Sequence, residues 1–454
     1  MARSPWPGVV ALSLAASIAA LQNTAVVPLL PVLQKDLGVS LPAASWTLTI
    51  SLLVSAVAAP LMSRFGDMYG RRRMIVTALV LLVIGSVVAA MAPSYTWLMV
   101  GRVLQGFVAA LFPLAVGLVR NVLPRERMAT GIGVLSATMG FGSGFGMILS
   151  GVVGDWHGVF WVTAVITMVA GAFVLVFVHD GAAPVRGRPD LAGAALLTGW
   201  LVLLLLGISQ GRAWGWTSAA TIGSFAGAVL LAVVWVLVER RTAEPLVQLS
   251  MLTDRRTVGA TVASTLIGFS FFLCMTAISN HTQADLGAST LQVGVYLLPT
   301  TLFMLVLSLF IGRVVARYSA SFVVSGGSVV SALGALWLAL EHTSPADIYI
   351  GSSLLGLGLG LGYSALGTMA VEHVAADRAA AAAGINALVR IVGGSAAGTV
   401  LAAIVSAVPG EGGYEWVFAV AALGALLGAL SAGMSGVLNR RAPQETPVTV
   451  PSGR

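Results

Sequence analysis

Few side chains in this chain are able to carry chemistry, and they fall into a few constellations. Asp67 stands four residues before Arg71, Arg72 and Arg73 in the stretch SRFGDMYGRRRM, an acid among cations that can pair in one arrangement of the chain and release in another. Arg102, Gln105 and Gly106 stand at i, i+3 and i+4 and share one helical face. Arg390 lies within an apolar run, about ten residues or ~15 Å from its charged end. A charged side chain at such depth costs about 2.5–3.5 kcal/mol on insertion scales, so each buried arginine should face protein, water or an anionic group. Metal-ligand, nucleophile–base and phosphate-loop spacings are absent from the sequence, which argues against an enzyme, an ATP-driven pump and any cofactor.

Stepping from these residues to the elements that hold them, composition points to a membrane. Of 454 residues, 57% are hydrophobic and 9% charged, and the mean hydropathy is +0.95. A soluble domain carries roughly 25% charged residues. The formal charge of +7 sits in short loops, without a basic stripe interleaved with aromatics, so nucleic acid is not the expected partner. The single cysteine, Cys274, permits no intrachain disulfide. Apolar runs of about 20 residues predict fourteen membrane helices, near 8–31, 43–63, 74–92, 96–119, 129–153, 158–178, 191–209, 218–238, 257–280, 290–312, 321–340, 347–370, 380–407 and 414–438. The first run continues beyond the length of a signal-peptide core and is expected to be retained as a span.

Of the 24 Lys and Arg, all but Lys35, Arg102, Arg212 and Arg390 fall on the side of the N-terminus. Positive residues stay inside, so both termini are expected in the cytoplasm of a multi-pass cell (inner) membrane protein, with a disordered tail over 439–454.

The chain also repeats itself. GRVVARYSAS (Gly312–Ser321) is a degraded copy of the Asp67 loop. Gly351 to Gly356 echoes Gly101 to Gly106, and Gly384, Ile385, Leu388 and Gly393 echo Gly131, Ile132, Leu135 and Gly140, all at offsets of 249 to 253 residues. Six spans account for only about 190 residues at roughly 30 per span, so two further helices are inserted between the copies. The expected division is a six-helix half over 1–180, two inserted helices within 181–250, a second six-helix half over 251–438, and the tail.

The glycine–acid–glycine–arginine loop resembles the signature loop of the major facilitator superfamily. Asp67, Gly70 and Arg71 fall on the motif, while Ser63 replaces a glycine and Met68 a basic residue. Six plus two plus six helices, GRVLQGFVAALFP in the fourth, Glu244-Pro245 after the eighth and NALVRIVGG in the thirteenth are similar to the fourteen-helix drug:proton antiporters of that superfamily. The resemblance implies an all-α fold and secondary active export of small amphipathic drugs or metabolites by alternating access, with protons as coupling ion. It gives Asp67, Gly70, Arg71, Arg102, Gln105 and Gly106 roles in switching and coupling. It also implies an antiporter-like glycine helix carrying Gly142, Gly146 and Gly151, although Met147 stands for the motif's proline and Ser150 for a glycine. Where relatives carry a helix-1 acid, this chain has Gln22, which cannot titrate, and no span contains another carboxylate.

A proton route would then use Asp155, Asp67 or a histidine such as His281. Asp155, at the outer end of the fifth helix, is placed to meet Arg102, and its protonation would release the arginine; a solvated loop acid is the alternative. The substrate cavity is expected between faces of helices 1, 4, 9 and 12 and their neighbours, with Gln22, Asn23, Phe271, Phe272, Met275, Tyr363, Asn386 and Arg390. The expected molecule is a monomer acting on a small-molecule substrate in the lipid bilayer. A facilitator or importer without proton coupling, and a non-transporting scaffold or sensor, remain as alternatives.

Overall fold

A computed structural model describes residues 6–123, 125–179, 190–243, 245–247, 249, 257–372 and 379–441. Arg3, Arg186, Arg188, Glu244, Arg255, Arg256, Arg378 and the tail from 442 lie outside the described residues, as do the side chains of Arg120, Arg125, Arg127 and Arg440. The described chain is helical throughout: α1 (Trp6–Leu37), α2 (Leu41–Tyr69), α3 (Arg71–Ala90), α4 (95–122), α5 (Arg125–Val153), α6 (Trp156–Phe177), α7 (Leu191–Trp214), α8 (Ala219–Arg241), α9 (Val258–Ala284), α10 (Thr290–Tyr318), α11 (Ala320–Leu340), α12 (Pro345–Val371), α13 (Ala379–Ala407) and α14 (Glu411–Arg441). Thirteen are long and apolar enough to cross a membrane over their described residues. In the other, α5, the described apolar stretch is Gly142–Val153.

Most helices outrun the apolar runs that predict them, because their ends continue in polar turns. α1 proceeds through a 3-10 turn at Val27–Leu29, where Pro28 and Pro31 withhold backbone donors, and ends at Leu37 because Gly38 takes φ 62°. The arginine loop is largely helix too. α2 runs on to Tyr69, and Gly70 alone, at φ 104° and ψ 127°, reverses the chain into α3. Asp67 therefore lies in the last turn of α2 and does not cap the start of α3, contrary to what a loop reading suggests. The up-and-down succession puts this turn and the other arginine-rich ends on one face, called here the basic face.

One set of cores joins α1, α3, α4, α5 and α6, and a larger one gathers α9 to α14 together with Val27, Leu48, Leu52 and Met147 of α1, α2 and α5. α7 and α8 pack beside α2 and α13 through Leu197, Leu201, Leu205 and Trp235, at the edge of the seam between the two groups. The seam itself is α2 against α13 and α5 against α10. Equivalent glycines make equivalent contacts in both copies. A Cβ on Gly85 would lie 2.7 Å from Gly101 O, and one on Gly334 would lie 3.1 Å from Gly351 O. Gly142 abuts Ser17 O, and Gly393 abuts Thr265 O.

Candidate functional site

Arg102 is fully buried in α4, with none of its surface exposed. Its Nε donates to Thr47 O of α2 at 2.8 Å, and its Nη1 donates to Gln22 Oε1 of α1 at 2.7 Å and to Gln105 Oε1 at 2.6 Å. Gln105 donates onward to Ser86 Oγ of α3 at 3.0 Å. Gln22 Nε2 donates to Asn23 Oδ1 at 2.7 Å and Ser51 Oγ at 3.3 Å. The chain Ser86–Gln105–Arg102–Gln22–Asn23, with Thr47 and Ser51 of α2, thus ties four helices together around a guanidinium whose partners are all neutral. Its Nη2 has no hydrogen-bond partner.

The expected meeting of Arg102 with Asp155 does not occur in this conformation. The guanidinium turns inward to α1 and α2 instead of rising to the surface, because three fixed acceptors lie there. Asp155 accepts from Gly158 N at 2.8 Å and caps α6. Gln22 is likewise a partner of Arg102, not a cavity wall.

α4 positions this network by close approach. A Cβ on Gly106 would meet Ser51 O at 2.8 Å, Ser55 Oγ donates to Gly106 O at 2.9 Å, and a 3-10 turn, Phe107–Ala110, follows at once. Below that turn, at the basic face, Asp67 Oδ1 accepts from Arg71 Nε at 3.0 Å and Nη2 at 2.8 Å, while Arg71 Nη1 donates to Gly117 O at 2.7 Å. Only a glycine at 117 leaves room for the guanidinium, since a Cβ would stand 2.7 Å from its carbon. Asp67→Asn keeps the acceptor but loses the charge of a half-exposed pair worth about 1 kcal/mol. Transport per molecule should fall about fivefold with insertion unchanged, and an undiminished rate in a well-expressed Asp67→Asn protein would remove the loop from the switching mechanism.

A cavity of about 140 Å³ lies among α1, α2, α4, α5, α9, α10, α12 and α13. One water needs roughly 10–15 Å³, so the space is ample for solvent. Asn23, Phe271, Phe272, Tyr363, Asn386 and Arg390 line it. Met275 does not; it is wholly enclosed in the core of the last six helices, one turn too far along α9. Arg390 lies with its guanidinium carbon 4.4 Å from the Tyr363 ring centroid. Phe271 stands 5.3 Å from Tyr363 and 5.0 Å from Phe272. Asn386 donates to Ala260 O at 3.3 Å and to Ser264 Oγ, so its amide is largely occupied.

Away from the basic face the two groups of helices are stitched together. Ser279 Oγ donates to Val27 O at 3.0 Å, Gln283 Nε2 to Pro28 O at 2.9 Å, and Thr49 Oγ1 to Ser395 O at 3.3 Å. Gly151 of α5 approaches Leu291 of α10, where a Cβ would be 3.0 Å from its Cα. Gly142 and Gly146 face α1 instead: Thr24 Oγ1 donates to Ser143 O at 2.6 Å, and Ser150 Oγ donates to Ala25 O. The serine that departs from the glycine motif thus fastens α5 to α1.

The Major Facilitator Superfamily model matches residues 12–238 and 260–453. The chain belongs to the major facilitator superfamily. It is 30% identical over 417 residues to the tetracenomycin C resistance and export protein of Streptomyces glaucescens, covering 90% of this chain and 77% of that one. The probable actinorhodin transporter of Streptomyces coelicolor is 31% identical over 381 residues, covering 80% and 66%. The crystal structure of the human organic anion transporter MFSD10 superposes with a TM-score of 0.67 at 16% identity, covering 94% of this chain and 99% of that one, a likeness of fold. The protein is a multi-pass membrane transporter of this superfamily.

Two further polar clusters lie away from the cavity, one of them around His281. Glu239, in α8, is 2% exposed, accepts from Trp235 Nε1 at 3.0 Å and neighbours Asp190, which accepts from Gly193 N. This carboxylate is buried against the protein in the last turn of α8, one residue past the predicted end of its span. At the face opposite the basic loops, His281 Nδ1 lies 2.7 Å from Asp285 Oδ2, and His281 Nε2 lies 2.8 Å from His342 O. The His281 ring is 4.8 Å from that of His342 and 5.0 Å from that of Tyr414. The i, i+4 spacing of His281 and Asp285 is the signal that marks this pair in the sequence.

Proposed function

We propose that this transporter exports small amphipathic compounds of drug or antibiotic type, by rocking a half formed by residues 1–180 against a half formed by 251–438, with the helices of 181–250 inserted between them. The supporting observation is the cavity at the seam, mostly apolar with a few converging polar groups, lying beneath hydrogen bonds that close the opposite face. The names of the curated relatives support the same reading. The protein works as a monomer in the cell (inner) membrane with both termini cytoplasmic, consistent with the positive residues of the basic face. In this arrangement the cavity belongs to the inward-facing state.

Proton exchange is the coupling we infer, and His281 with Asp285 is the site that serves it best. Nε2 stands against the acceptor His342 O and Nδ1 lies 2.7 Å from a carboxylate oxygen, a geometry in which imidazole and carboxylate can share a proton. The titratable groups facing this imidazole are Asp285 on its own helix, His342 before α12 and Tyr414 on α14. Loss of the shared proton sets two lone pairs against each other and loosens the outer end of α9, the helix that also carries Ser279, Gln283, Phe271 and Phe272. His281→Gln should abolish gradient-driven uptake into inverted vesicles while leaving gradient-independent flux. Gradient-driven uptake equal to that of the parent protein would eliminate this route.

Gln22 favours a second reading, since the partner of Arg102 is neutral: a facilitator without proton coupling. Uptake of cationic, neutral and anionic compounds into inverted vesicles, with and without a pH gradient, separates the readings. Gradient-driven uptake supports exchange, gradient-independent flux supports the facilitator, and absence of flux with every compound leaves a scaffold or sensor.

A further inference from the structure

The charge inside the cavity is one-sided. Among its described lining residues Arg390 is the one charged group, and no carboxylate lines the space to balance it. Several of the other polar groups around it are engaged within the protein. Thr24 Oγ1 is held by Ala20 O, Leu21 O and Ser143 O; Asn23 Oδ1 receives Gln22; the Asn386 amide is held by α9. Arg390 has neither a hydrogen-bonded partner nor an ion pair among the described residues, and its neighbour is the face of Tyr363. Its backbone is fixed by α9, because Gly268 leaves just enough room for the Arg390 backbone and stem, where a Cβ would meet Cγ at 2.8 Å.

A guanidinium in such a setting is short of acceptors. Its planar fork matches a carboxylate, an ionised phenol or a sulfonate through two parallel hydrogen bonds, and water exclusion strengthens that pairing. The aromatic groups on either side add a second requirement. Phe271, Phe272 and Tyr363 form a continuous tilted and edge-on array, with Gly394 packed against Phe272, a wall suited to flat ring systems. A cation placed in this space meets the unbalanced positive charge with no acid to offset it.

Resting on the export reading of this cavity, we infer that its preferred substrates are aromatic organic anions. The ring system lies against Phe271, Phe272 and Tyr363, and the acidic group pairs with Arg390. Arg390 is the specificity-determining residue, and it discriminates by charge where the aromatic wall discriminates by shape.

Three probes of nearly equal size test this: anthracene-9-carboxylate, anthracene-9-methanol and 9-(aminomethyl)anthracene, measured by fluorescence binding to the purified full chain in detergent and by flux in inverted vesicles. The carboxylate should bind about tenfold tighter than the alcohol, and the ammonium more weakly than either. Arg390→Gln should remove that tenfold preference while leaving the alcohol within about threefold of the parent, and Arg390→Lys should retain part of it. Because Arg390→Gln has the greater chance of misfolding, the order of the three probes on the unaltered protein stands as a test by itself. Binding of all three without preference, or preference for the ammonium, overturns the anion assignment and leaves the export reading intact. An equal loss of carboxylate and alcohol binding in a folded Arg390→Gln protein assigns Arg390 a packing role and overturns it too. Binding and flux of none of the three remove the cavity as a substrate site, and both readings fall together.

Discussion

Arg102→Met should lower transport per molecule about a hundredfold or more while the protein stays folded. Two stability terms oppose each other at this position. Removing the guanidinium deprives Thr47 O, Gln22 Oε1 and Gln105 Oε1 of a donor, at about 1–2 kcal/mol for each group left unsatisfied. It also removes a buried cation without a counter-charge, whose desolvation costs several kcal/mol. The melting temperature in detergent should therefore stay level or rise. Function has no such compensation, because the guanidinium is what joins α1, α2 and α4 across the lining of the first six helices. Gln22→Glu is the companion change: it supplies the missing anion, should raise the melting temperature, and introduces a titrating group beside the network. Full transport by Arg102→Met, or a collapse of its fold, would contradict this account.

Gly142→Val is expected to be the most damaging single change to the fold. Position 142 has backbone, not a flexible side chain, against it: Ser17 O, C and Cα of α1 all lie within contact of a Cβ, the last at 3.0 Å. Gly146 repeats the arrangement four residues on, facing Leu21 O and Thr24 Oγ1. A branched side chain forces α1 and α5 apart and breaks the Thr24–Ser143 and Ser150–Ala25 hydrogen bonds. Overpacking of this kind costs about 1–3 kcal/mol, and each lost hydrogen bond about 1 kcal/mol more. The measurable result is a sharply reduced yield of monodisperse protein with a melting temperature lowered by several degrees. Gly312→Val, where no atom lies within 4 Å of a Cβ, is the control that should behave as the parent. Equal yields from the two variants would show that the α1–α5 approach is not required.

The fold was readable because membrane helices announce themselves by long apolar runs and the copies by their glycines. Gly85 with Gly101 and Gly334 with Gly351 mark the same crossing, as do Gly142 and Gly393 against α1 and α9. The site was readable where one residue's chemistry demanded a partner, as at Arg390, and less so where several partners competed. Arg102 had Asp155 as the acid expected at the same outer end, yet the packing of α4 on α2 aims it at Thr47 and Gln22. Met275 and Phe272 are three residues apart on one face of an apolar helix, and which of them meets the cavity depends on how far the cavity reaches along α9, which spacing alone does not fix. The repeat also conceals an asymmetry. The position in α12 that answers to Arg102 is Ser352, so the buried arginine network has no counterpart in the second copy.

Arg102 and Arg390 share a property whose effect reaches beyond either helix: neither has a carboxylate partner among the described residues. The empty transporter thus holds net positive charge within the bilayer's electric field. Any reorientation that shifts these groups along the membrane normal moves charge through that field, and one elementary charge carried fully across is worth about 2.3 kcal/mol per 100 mV. Turnover is then tied to the membrane voltage even for an uncharged cargo, and an anion seated on Arg390 cancels part of that coupling. The charge of the passenger sets how strongly the membrane potential pulls on the carrier.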